Sequence, residues 1–154
     1  MIYQQAKEGK QVLALVSIDG TGQRTFDARS NDSLRYSPDG TKIAVLTIEG
    51  EGAQRQVKVL ILDAASGAVQ KKMDVNPDAF NLRWSPDGKA IVFVVQRGSV
   101  SNLWSQPIAG GSAKQITNFT SDIVRSFAWS PDGKHFAITR QKTSRDVVLF
   151  SDSR

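Results

Sequence analysis

Apolar residues along this chain come in short runs with strand-like periods rather than in helical stripes. Three segments, Leu34-Arg35-Tyr36, Leu82-Arg83-Trp84 and Phe127-Ala128-Trp129, alternate in side-chain direction. After a brief polar interruption each leads into a run with apolar residues on both faces: Lys42-Ile43-Ala44-Val45-Leu46, Ala90-Ile91-Val92-Phe93-Val94 and His135-Phe136-Ala137-Ile138. Alternation predicts a half-buried strand, whereas an unbroken apolar run predicts a strand covered on both sides. Each pair therefore reads as an antiparallel hairpin held between neighbouring sheets.

The interruption has the same chemistry each time. Ser37, Pro38, Asp39 and Gly40 recur as Ser85, Pro86, Asp87 and Gly88, and again as Ser130, Pro131, Asp132 and Gly133. Proline is pre-set for the first central position of a tight turn, Asp bonds its own backbone two residues on, and Gly supplies a positive φ where the chain reverses. Successive copies are separated by 48 and 45 residues, the period of a four-stranded propeller blade. The predicted fold is all-β: a partial β-propeller of four-stranded antiparallel blades, about three and a half of them in 154 residues.

The expected divisions are an incomplete blade at 1–26, blades at 27–73 and 74–117, and an incomplete blade at 118–154. The first has strands around Ile2-Tyr3-Gln4, residues 12–18 and residues 23–26, but no aromatic-Ser-Pro-Asp-Gly before them. The last ends on a third strand, Asp146-Val147-Val148-Leu149-Phe150. About fourteen strands fall short of the sixteen or so in the smallest closed ring of such blades. Bare apolar faces at both ends are expected to meet the remaining blades of a parent ring or a second copy of the chain.

Composition narrows the chemistry. No cysteine is present, so disulfides and thiolate metal sites are excluded. The formal charge of +5 is spread without a basic run, which argues against a nucleic-acid partner. No stretch has membrane-spanning length and the first residues do not read as a signal peptide, so this segment is expected to make no membrane contact itself. An export address, if there is one, is expected to lie outside the chain.

His135 is the sole histidine, and counting from the tetrapeptides it takes the place of Lys42 and Ala90. A position that accepts all three is an ordinary hairpin position, so no catalytic residue is assigned. Asp39, Asp87 and Asp132 lie in separate blades and read as turn stabilisers rather than metal ligands, and no cofactor is expected. Tyr36, Trp84 and Trp129 read as packing between blades. Arg35 and Arg83 alternate with those aromatics and point the other way, either to pair between blades or to approach the channel; Ala128 stands at the third such position. The remaining polar candidates lie on the rim opposite the turns. Asp32, Asp78 and Asp122 fall in inter-blade connections, and Arg55, Arg97, Arg140, Lys142 and Arg145 in the loops between second and third strands. A loop-built face of mixed charge suits a protein or polar small ligand.

These motifs resemble the TolB-type, WD-repeat-like propeller family, whose blades carry a Trp-Ser-Pro-Asp-Gly turn between the first two strands. The segments Leu103-Trp104-Ser105-Gln106-Pro107, Gln115-Ile116-Thr117-Asn118-Phe119, Phe127-Ala128-Trp129-Ser130-Pro131-Asp132-Gly133-Lys134 and Asp146-Val147-Val148-Leu149-Phe150-Ser151 resemble the last blades of propellers in bacterial receptor-like serine/threonine kinases of acidobacterial type. Similar propellers follow winged-helix regulators. The resemblance implies a non-catalytic sensor or interaction module on the extracytoplasmic side of a membrane-anchored parent, or a cytoplasmic one if the parent differs. No kinase motif occurs in this chain. Two alternatives stand beside it: the gating propeller of a prolyl-oligopeptidase-type serine hydrolase, disfavoured by an ending at Arg154 without a Gly-x-Ser-x-Gly segment, and a periplasmic TolB-like scaffold contacting envelope lipoproteins.

Overall fold

The computed structural model describes residues 2–7, 10–16, 18–26, 30–50 and 52–142. The thirteen strands among these residues form four antiparallel sheets, within each of which sequence neighbours pair. The first sheet holds β1 (Ile2–Lys7), β2 (Lys10–Leu15) and β3 (Arg24–Phe26). The second holds β4 (Ser30–Tyr36), β5 (Lys42–Glu49), β6 (Gln56–Asp63) and β7 (Val69–Asp74). The third repeats that plan with β8 (Ala79–Trp84), β9 (Ala90–Arg97), β10 (Val100–Pro107) and β11 (Lys114–Gln115), and the fourth holds β12 (Ile123–Trp129) and β13 (Phe136–Gln141). One 3-10 turn, Gly52–Gln54, is the helical content of the described residues. The strand expected at 146–150 and the rim candidate Arg145 lie outside them.

The second, third and fourth sheets stack face to face with β4, β8 and β12 as their inner edges. Each of these three strands has a single partner, and β4 lies beside β8. The central hairpin strands are sandwiched as their composition demands: β5 and β9 each carry five consecutive buried residues. Alternate side chains go to opposite faces, so Ala44 and Leu46 pack with Leu82, Trp84, Ile91 and Phe93 of the next sheet, while Ile43 and Val45 turn away from it. Val92 and Val94 likewise meet Phe127, Phe136 and Ile138 of the fourth sheet. Full burial of side chains of this size contributes about 1.5–3 kcal/mol each, and that interleaved burial holds successive sheets together.

The far side of the fourth sheet departs from expectation. Ser126 pairs with Thr139 and Ala128 with Ala137, and all four are exposed. The described part of this face is built of two alanines, a serine and a threonine instead of large apolar side chains, and the burial of β13 alternates where that of β5 and β9 is continuous. Tyr36 also departs: it is 46% exposed, whereas Trp84, at the same place in the next repeat, is 5% exposed.

Two polar side chains tie the third sheet to the fourth and to the connection between them. Ser101, 1% exposed, accepts the Val124 N–H at 2.6 Å, joining β10 to β12. Asn102 accepts the Phe119 N–H at 2.7 Å and donates to the Phe119 carbonyl at 3.1 Å. Its Oδ1 also accepts the Thr117 hydroxyl at 2.9 Å, so one amide fastens the chain leaving β11. Each inner strand carries a register irregularity, between Ser30 and Leu34, between Phe80 and Arg83, and between Val124 and Ser126. In β8 the irregularity contains Asn81, with φ of 51°, whose Nδ2 donates to the Arg125 carbonyl of β12 at 3.1 Å.

Candidate functional site

One rim consists of the three Ser-Pro-Asp-Gly turns, and their internal bonding is the same. In the first, the Ser37 N–H donates to the Lys42 carbonyl at 2.9 Å and the Gly40 N–H to the Ser37 carbonyl at 2.9 Å. The Lys42 N–H donates to Ser37 Oγ at 2.9 Å, and that hydroxyl donates to Asp39 Oδ1 at 2.5 Å. Asp39 Oδ1 also accepts the Thr41 N–H at 3.0 Å. Ser85 with Asp87, and Ser130 with Asp132, reproduce every one of these bonds. The hydrogen bond from the Ser37 hydroxyl, with support from the Thr41 N–H, lowers the Asp39 carboxyl to about 2. The Ser85 and Ser130 hydroxyls lower Asp87 and Asp132 in the same way.

Adjacent turns touch. A Cβ on Gly133 would lie 2.9 Å from Pro86 Cβ and Cγ, and one on Gly88 would lie 3.7 Å from Pro38 Cδ. A cleft of about 360 Å³ separates the first two turns, lined by Asp39, Lys42, Trp84 and Asp87 among others. The aspartates are thus occupied by their own turns. Among the described residues no three His, Asp or Glu side chains are grouped so as to hold a metal ion.

The opposite rim gathers the ends of β5, β7 and β9, because antiparallel strands starting at the turns all finish there. Three clefts lie side by side around the connection from β7 to β8. One of about 430 Å³ is lined by Arg55, Asp78, Phe80, Gln96 and Arg97. Arg55 also borders a cleft of about 350 Å³ with Lys58, Asp74 and Pro77. Arg97 also borders one of about 360 Å³ with Asp74, Phe93, Trp104 and Gln106. Arg55 is held by one hydrogen bond, from Nη1 to the Pro77 carbonyl at 3.4 Å. Arg97 lies over the Trp104 ring at 5.5 Å, an attraction of about 0.5–1 kcal/mol at an exposed site. At the back of the clefts Lys58 pairs with Glu49 and Asp74, both at 3.3 Å.

The other rim candidates divide. Arg140 lies inside β13 rather than in a loop and is engaged: its Nη2 pairs with Asp122 at 3.1 Å and donates to the Ser121 carbonyl at 2.6 Å, and its guanidinium covers Phe119 at 4.2 Å. Asp122, with φ of 64°, is therefore spent on Arg140. Asp32 falls within β4, in its irregular stretch, rather than in the connection before it. Lys142 is exposed just beyond β13. The structure thus brings Arg55, Asp78 and Arg97 together and leaves Arg140 and Asp122 as a separate pair. Arg97 is the last residue of β9 rather than a loop residue, and Trp104, in sequence an ordinary third-strand residue, joins the cleft because its partner across the ladder, Phe93, shares a sheet face with Arg97.

At the inner edge Arg35 and Arg83 occupy equivalent places in β4 and β8, each two residues before its turn serine. Burial holds both guanidinium groups below their ordinary value, and Arg83 also feels the charge of Arg35. The Trp84 indole N–H donates to the Arg35 carbonyl at 2.9 Å and so fixes the two strands against each other.

No protein-family model matches the chain. It is 33% identical over 95 residues to dipeptidyl-peptidase 5 of Porphyromonas gingivalis, covering 58% of this chain and 14% of that protein. It is 30% identical over 108 residues to the Tol-Pal system protein TolB of Gluconobacter oxydans, covering 69% of this chain and 23% of that one. The crystal structure of TolB from Acinetobacter baumannii superposes with a TM-score of 0.63 at 24% identity, over 82% of this chain and 31% of that one. The chain therefore spans between about a seventh and a third of the length of these proteins. Its fold is that of a TolB-like β-propeller, of which it forms a part.

Proposed function

We propose that this chain is a non-catalytic binding module whose rim around the β7–β8 connection receives a polar segment of another protein. The observation that carries the reading is the row of clefts sharing Arg55 and Arg97, with Asp78 between them. Both arginines are lightly tethered, which leaves most of their donors available at the mouth of a concave surface. The remaining blades of a parent propeller, or a second copy of the chain, complete the stack of sheets. The parent is a bacterial signalling protein with this domain on its extracytoplasmic side, in keeping with the resemblance of residues 103–151 to receptor-kinase propellers. No helix of the described residues is long and apolar enough to cross a membrane.

An array of immobilised fifteen-residue peptides tests the rim. The chain as it stands is expected to retain a subset of peptides, and the double variant Arg55→Glu/Arg97→Glu to lose that subset while its melting temperature moves by no more than about 2 °C. Identical retention by both proteins, or retention by neither, refutes the reading. A large loss of stability assigns the arginines to structure instead.

A second reading rests on the likeness to dipeptidyl-peptidase 5: the chain would be the propeller of a serine hydrolase, guarding an active site carried elsewhere. Fluorophosphonate labelling of the native polypeptide separates the two, since the hydrolase reading requires a labelled serine and the binding-module reading requires none.

A further inference from the structure

We propose that Arg35 and Arg83 form an oxyanion site on the inner edges of the second and third sheets, one that takes the carboxylates of an acidic peptide. The inference goes beyond the rim reading by assigning a second site and the chemistry of what it takes. It uses residues remote from the rim clefts, so either can fail alone.

The two arginines stand at one position of adjacent repeats, on neighbouring strands. The residue across the hairpin is Ala44 for Arg35 and Val92 for Arg83, so neither has a carboxylate opposite it. Among the residues whose side chains are described, no Asp or Glu lies within ion-pair distance of either guanidinium. Among the described residues each makes one hydrogen bond, to the carbonyl of the residue before it: Arg35 to Leu34 at 2.6 Å and Arg83 to Leu82 at 3.3 Å. A guanidinium carries five N–H donors in a planar fork, so most of the pair's capacity is unused. Two half-buried like charges with no counter-ion among the described side chains are costly, and a carboxylate is the group whose geometry matches that fork in two parallel bonds. In the fourth sheet Ala128 holds the equivalent place, which confines the positive spot to two neighbouring edges.

The test is fluorescence anisotropy of a labelled hexaglutamate peptide added to the 154-residue chain at low salt, with hexaglutamine as the neutral probe. Hexaglutamate is expected to bind and hexaglutamine not. Either Arg35→Gln or Arg83→Gln should weaken binding about tenfold or more, and Lys114→Gln, an exposed cation on β11, should leave it unchanged. Absence of binding overturns the proposal, as does an equal loss in the Lys114 variant, which would indicate unspecific attraction to net charge. Inorganic phosphate raising the melting temperature while hexaglutamate fails to bind overturns the peptide assignment. Without ligand, Arg83→Gln should melt at the same temperature as the parent or higher, because it relieves repulsion. A fall of several degrees, or failure to fold, gives Arg83 a structural role and overturns the proposal.

Discussion

The indole N–H of Trp129 donates to the main-chain carbonyl of Trp84 at 2.9 Å, and the indole of Trp84 reaches back in the same way to Arg35. Each of these two tryptophans is thus both packing and a cross-sheet strut. Trp84→Phe removes the donor and leaves a gap in a buried place, at a cost of about 2–3 kcal/mol. Trp129→Phe should cost less because Trp129 is only half-buried. Tyr36→Phe, at an exposed site, should stay within about 0.5 kcal/mol. Urea midpoints of the three variants check the ranking.

Three glycines hold equivalent turn positions with φ of 70°, 68° and 69° at Gly40, Gly88 and Gly133. Alanine at any of them incurs the left-handed penalty of about 1–2 kcal/mol. Only at Gly133 does the added carbon also press on a proline ring, at 2.9 Å. Gly133→Ala should therefore be the most damaging of the three by thermal melting, and Gly40→Ala, with open space around it, should show the backbone penalty alone.

Acid should loosen the turn rim. The Asp39, Asp87 and Asp132 carboxyls are depressed in the folded chain, Asp39 to about 2. Their contribution is therefore complete above the unfolded value of about 3.9 and is lost as pH falls through the folded values. The melting-temperature gap between the parent and the triple Asp→Asn variant should be widest near neutral pH and close on approaching pH ~2. A gap that stays constant with pH would show that the carboxylate charge contributes nothing.

Charge reversal should separate the rim arginines. Arg140→Glu breaks the Asp122 pair and the Phe119 contact and sets two acids face to face, costing about 1–2 kcal/mol. Arg97→Glu forfeits only the Trp104 contact and should cost under about 1 kcal/mol. Denaturant midpoints that come out equal would refute the division of the rim into a structural pair and an available cleft.

The turns and hairpins are legible in the sequence because their determinants are local: every bond that shapes the Ser37 turn joins residues at most five apart. Their period then specifies the repeat. The exposure of Tyr36 is not legible, because it depends on the preceding sheet. Nor is the Arg140–Asp122 pair, which joins residues 18 apart and turns two loop candidates into a fixed contact. Ser101 and Asn102 look like ordinary strand polar residues in sequence. Their bonds form only when β12 and residues 117–119 come alongside.

The irregular inner strands limit how a guest can bind. A peptide joins a sheet by extending its ladder, which needs an uninterrupted row of main-chain donors and acceptors along a free edge. The breaks in β4, β8 and β12 interrupt that row in each of the three repeats. Augmentation by an added strand is thereby discouraged along these three edges, and recognition there passes to side chains.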